Sequence, residues 1–108
     1  MANSFVNTGA ALSTTNRTTV YTCPANTQAI IHAVYLSNVD GTASVDVTVE
    51  ATDDGGTTYR KIGYLLPVPA RSTLVLDKPV NLEAADILAV TASAAGDVEV
   101  FLSVLQVT

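Results

Sequence analysis

The chain has no tryptophan, one cysteine, one histidine and one methionine in 108 residues, and only 14% of its residues are charged. Each shortage removes a class of protein. A lone cysteine, Cys23, forbids an internal disulfide, which excludes the stapled scaffolds of small secreted domains. A lone histidine, His32, supplies neither a metal cluster nor a catalytic triad, and no nucleophile, base and orienting group can be assembled around it, so no enzyme is expected. The basic residues Arg17, Arg60, Lys61, Arg71 and Lys78 are scattered and outnumbered by ten acidic ones, for a net charge of −5. Phosphate binding needs clustered Lys and Arg, so no nucleic acid is expected as a partner. No apolar run approaches the ~20 residues that cross a bilayer, and no membrane partner is expected. The start, Met1-Ala2-Asn3-Ser4, has neither the basic nor the apolar region of a signal peptide, so synthesis in the cytoplasm is expected.

What the chain does have is apolar content and rhythm. Hydrophobic residues make up 48% of it and the mean hydropathy is +0.36, a surplus for so small and weakly charged a chain. Some of that surface is expected to be buried against other copies or a larger partner. Runs rich in Val, Ile, Leu and Thr are broken by Gly, Pro, Asn and Asp at roughly ten-residue intervals, the pattern of an all-β protein. The length supports one domain over residues 1–108. We expect a single antiparallel β-sandwich of about eight strands, of jelly-roll or Ig-like topology, since the two share this spacing.

Ser4 to Leu12 reads as an edge strand or an N-terminal arm within residues 1–12, and Thr18 to Thr22 as a strand ending at Cys23-Pro24-Ala25-Asn26. Gln28 to Ser37 is the most apolar stretch, and simple alternation sets His32 on one face with Ile30, Val34 and Leu36. Ser44 to Glu50 places Val45, Val47 and Val49 on one face, with Asp46, Thr48 and Glu50 on a wet one. Asp53-Asp54-Gly55-Gly56 turns this strand into Thr58 to Tyr64, where Glu50 and Arg60 are placed to pair, and Pro67-Val68-Pro69 is expected to interrupt the pairing. Ser72 to Leu76, Ile87 to Ala92 and Val98 to Val107 complete the set. The last strand has Val98, Val100, Leu102 and Val104 on one face, with Phe101 and Leu105 beside Glu99 and Ser103 on the other, a face suited to a partner.

The side chains that carry chemistry have plain readings. Cys23 lacks a predicted base or helix N-terminus to activate it and reads as a small buried hydrophobe. Asp53 and Asp54 lack the spacing of a calcium loop, and Asp40 and Asp86 have no warrant to join them, so no metal and no cofactor is expected. Tyr and Arg are enriched at interfaces, which singles out Tyr59, Arg60 and Tyr64 on a polar hairpin. Phe5 and Phe101 join them as interface candidates, and Arg71, isolated among apolar residues, is expected to meet a carboxylate of another subunit. A carbohydrate- or receptor-binding module is the competing reading, weakened by the absence of Trp from the aromatic set.

The stretch Thr19-Val20-Tyr21-Thr22-Cys23-Pro24-Ala25-Asn26-Thr27-Gln28-Ala29-Ile30-Ile31, followed by Leu36-Ser37-Asn38-Val39-Asp40-Gly41, resembles a pattern of small β-sandwich virion proteins of tailed bacteriophages. Leu82-Glu83-Ala84-Ala85-Asp86-Ile87-Leu88 and Ala92-Ser93-Ala94-Ala95-Gly96-Asp97-Val98 are similar to their closing hairpin. The chain departs from that pattern at Cys23, where Val is commoner, and at Asn26 and Ala85, where Gly is. The resemblance implies a structural role in the virion, made in the host cytoplasm: a capsid decoration or cement protein, often a homotrimer, bound to the major capsid protein or other virion proteins. A tail, collar or fibre-associated subunit is the nearest relative of that role.

Overall fold

The computed structural model describes residues 2–108 and contains nine strands: β1 (Asn3–Leu12), β2 (Thr18–Thr22), β3 (Gln28–Asn38), β4 (Val45–Thr52), β5 (Tyr59–Val68), β6 (Thr73–Leu76), β7 (Val80–Leu82), β8 (Ile87–Ala92) and β9 (Val98–Val107). They form two antiparallel sheets, β1-β9-β3-β6 and β2-β8-β4-β5, and β7 also pairs with β3. β7 faces Ala29 to Ile31 and β6 faces Val34 to Ser37, so the two occupy one lane, broken at Asp77-Lys78-Pro79. With that lane counted once, the chain is a single long hairpin bent between β4 and β5. β1 pairs with β9, β2 with β8, β3 with β6 and β7, and β4 with β5. Rolling the hairpin lays β9 against β3 and β8 against β4. This is the jelly roll, which decides against the Ig-like alternative.

The core lies between the sheets and follows from alternation. Val98, Val100, Leu102 and Val104 point inward from β9, Val45, Val47 and Val49 from β4, and Leu88, Val90 and Ala92 from β8, all buried. Gln106 Nε2 donates to the Tyr21 hydroxyl at 2.7 Å, a polar tie between the two sheets. Residues 3–12 form the edge strand β1, paired along its whole length with β9, and the Ala2 and Thr108 backbones exchange hydrogen bonds beyond it.

Three expectations are corrected. A bulge in β3 between Ile31 and Ala33 adds one residue, so His32 stays outward with Ile30 while Val34 and Leu36 turn inward. β5 runs through Pro67 to Val68, because it is the edge of its sheet and a missing N–H costs no ladder bond there. The outward side of β4 is wet only at Asp46: Thr48 and Glu50 are buried, as is Thr52 beyond them, since β4 is flanked by β8 and β5 and roofed by long side chains.

Candidate interaction surface

The outward face of the β1-β9-β3-β6 sheet is built from strand residues that the alternation leaves outside the core. One lateral row runs Gly9, Phe101, Tyr35, Val75. Phe101, Tyr35 and Val75 are exposed to 47%, 39% and 42%, and the Tyr35 and Phe101 rings meet at 6.3 Å between centroids. Gly9 allows the close approach: a Cβ there would lie 3.2 Å from the Val100 carbonyl oxygen and 3.6 Å from the Phe101 ring. The aromatic ring thus covers the bare backbone of the edge strand. The next row, Asn7, Ser103, Ala33, is made of small side chains. Beyond it lie Phe5, Leu105, Ile30 and Asn81. Phe5, 79% exposed, stacks on the bulged His32 at 6.2 Å. On the other side of the Phe101 row stand Ala11, Glu99, Ser37 and Thr73, where a shallow depression of about 400 Å³ opens beside Phe101. Glu99 is the one charged residue in these four rows.

The second sheet carries the charge. Glu50 of β4 accepts from Arg17 Nε at 2.9 Å and Nη2 at 3.3 Å, with Lys61 Nζ at 3.6 Å. The Arg17 hydrogen bond holds the Glu50 carboxyl below the ordinary carboxylate range against the opposing effect of burial. Arg17 also lies over the Tyr59 ring, 3.9 Å from its centroid. Arg60 pairs instead with Asp53 at 3.1 Å, because the turn over residues 53–58 sets Thr52 opposite Tyr59 and so Ala51 opposite Arg60 and Glu50 opposite Lys61. The expected Glu50–Arg60 pair is therefore corrected. At the β4-β5 bulge between Val47 and Val49, Leu65 adopts a φ of 49°, with its N–H donating to Thr48 Oγ1 at 3.1 Å, and Ile62, Tyr64 and Leu65 are exposed.

The six residues singled out from the sequence thus divide. Phe5 and Phe101 share the first sheet's outward face, four residue positions apart across the β1-β9 ladder. Tyr59, Arg60 and Tyr64 lie on β5 of the second sheet, and Tyr59 is occupied by Arg17. Arg71 sits in a turn at a φ of 60°, its N–H donating to the Asp40 carbonyl oxygen at 3.2 Å and its guanidinium beside Gly41. Tyr35, Val75 and the outward His32 stand outside those six; strict alternation across Thr73 to Leu76 is the available signal for Val75.

The remaining reactive side chains are engaged in the fold. The Cys23 thiol is buried, donates to the Thr27 carbonyl oxygen at 3.3 Å, and is pushed up from its ordinary pKa by burial and by Asp86. Asp54 accepts from the backbone N–H groups of Thr57 and Thr58, and Asp86 from those of Gly55 and Glu83. Among the described residues, no three His, Cys, Asp or Glu side chains come together as metal ligands.

No family model and no curated protein matches the chain. Among solved structures it is similar to a chain of the acidic stable capsid structure of Helicobacter pylori bacteriophage KHP30. The match covers 98% of this chain and 87% of that one at 15% identity, with a TM-score of 0.56. At that identity the likeness shows the fold the two chains share.

Proposed function

We propose that the protein is a non-enzymatic structural component of a tailed-phage particle, a decoration or cement protein that binds the capsid shell and stabilises it. The observation that carries this reading is the end-to-end likeness of its jelly roll to a chain in a phage capsid structure. The residue patterns around Cys23-Pro24 and Ala84-Ala85-Asp86 point the same way. A sheet face rich in aromatic and small side chains adds the surface that such a role needs, because contacts of modest strength repeated over a shell resist internal pressure by avidity. On this reading its partners are the major capsid protein or other virion proteins and further copies of itself. Immunogold labelling of purified particles with antibody to this chain tests it. Gold spread over the heads is the expected result; gold confined to tails replaces decoration with a tail or fibre role, and unlabelled particles overturn the virion assignment.

A further inference from the structure

The outward face of the β1-β9-β3-β6 sheet exposes Phe5, Phe101, Tyr35 and Val75 among small and polar side chains. Its four lanes at ~4.8 Å spacing are about 19 Å wide, and ten residues at ~3.4 Å make it about 34 Å long. That is a footprint of roughly 650 Å², or about 1,300 Å² for two such faces together, within the range of stable specific interfaces.

The relief of the face identifies what fits it. The ridge of Phe101, Tyr35 and Val75 runs alongside the row of Asn7, Ser103 and Ala33, two residues further along each strand. A two-fold axis lying in the plane of the face, between these rows, exchanges them. The ridge of each copy then rests on the small residues of the other, the self-complementarity that a two-fold contact requires. Charge selects the same occupant. The chain carries −5, so copies repel across most of their surface, whereas Phe101, Tyr35, Val75, Asn7, Ser103 and Ala33 carry no charge, and the charged residues of the face stand at its margins: Glu99 in its last row, Asp77 and Lys78 in its outer lane.

We propose that two copies of this chain pair face to face through the β1-β9-β3-β6 sheet, with Phe101 and Tyr35 of each seated on Ser103 and Ala33 of the other. Two sheets packed this way stand about 10 Å apart. A trimer, as the phage resemblance implies, is built differently, since a three-fold ring joins two unlike patches. The pairing is read from the face alone and does not depend on where in a particle the protein resides.

Sedimentation velocity on the purified full chain, from about 1 to 100 µM, tests the pairing within the affinity range open to an interface of this size. The expected species has twice the 11.2 kDa mass of one chain. Phe101→Lys places two unpaired ammonium groups in the contact and weakens association at least a hundredfold. Ser103→Lys does the same although it removes no apolar surface, which is particular to a ridge seated on that row. Tyr64→Lys, on the other sheet, leaves the pair intact. All three positions lie on outward faces, and far-UV circular dichroism checks that each variant is folded. A wild-type chain that stays monomeric at 100 µM, a three-copy species, or pairs that survive both Phe101→Lys and Ser103→Lys would overturn the proposal.

Discussion

Arg17 and Glu50 lie 33 residues apart in sequence, yet Arg17 Nε sits 2.9 Å from Glu50 Oε1, across the small side chain of Ala89 on the intervening strand β8. The carboxylate is buried, while the guanidinium is half exposed and stacked on Tyr59. The contact therefore joins the edge strand β2 side of the sheet to its centre and to β5. Solvent screening on the Arg17 side keeps the pair well short of a fully buried one.

The first prediction concerns acid. A carboxyl held below its unfolded pKa, ordinarily about 4.3 for Glu, stabilises the fold fully above that value and loses this contribution as pH falls through the folded pKa. Glu50→Gln is expected to lower unfolding free energy by about 1 kcal/mol at pH 7, and by less near pH 2, as acid protonates the wild-type carboxyl. Urea midpoints of both proteins at the two pH values measure the difference. An equal penalty at both would mean that Glu50 acts through shape and not charge.

A second prediction follows from Asn38, buried at the end of β3. Its amide donates to the carbonyl oxygens of Ala43 and Val68 at 2.9 and 3.0 Å, and its Oδ1 accepts from the Asp40 N–H at 2.9 Å. Asn38→Ala leaves these groups without partners beside the core and is expected to cost about 2 kcal/mol, given ~1–3 kcal/mol for an unsatisfied buried group. Chemical denaturation reads it directly, and a loss below half a unit would show that water replaces the side chain.

The Cys23 thiol supplies a third. Burial and the hydrogen bond to Thr27 make it inert in the native state, so an aromatic disulfide reagent should label it only through opening of the fold. Labelling is expected to be at least about a hundredfold slower than in urea-unfolded chain and to accelerate in Asn38→Ala, in proportion to its lost stability. Rapid stoichiometric labelling of the native protein would show that the strand end around Cys23 opens locally.

How far the sequence could be read depended on the range of the interaction. Strict alternation in β9 gave the inward set Val98, Val100, Leu102 and Val104 and the outward Phe101 and Leu105, because period-two burial is a local property. The bulge at His32 was invisible, since one inserted residue leaves composition unchanged while turning Val34 and Leu36 to the other face. Glu50 was assigned the wrong partner because Arg17 reaches it over Ala89, a proximity created only when β2, β8 and β4 lie side by side. β7, three residues long, is a strand only because β3 is beside it. Of the aromatic face, Phe5 and Phe101 were legible one at a time; that Tyr35 and Val75 complete a row with Phe101 needed the register.

The backbone strain that the sequence did flag yields the last prediction. Ala85, noted as standing where Gly is commoner, has a φ of 72°, and Leu65 has one of 49°. A side chain in this left-handed region costs about 1–2 kcal/mol relative to Gly, whereas a Gly gains about 0.4–1 kcal/mol of extra freedom in the unfolded chain. Relief exceeds that gain by roughly half a kcal/mol, so Ala85→Gly is expected to raise the urea midpoint modestly. Leu65→Gly should do likewise, because the Leu65 side chain is 49% exposed and its backbone N–H keeps its bond to Thr48. Stabilisation of both variants would show that the strain at each site is carried by the backbone alone. A clear loss for Leu65→Gly with a gain for Ala85→Gly would show instead that the buried half of the Leu65 side chain contributes more packing than its conformation costs.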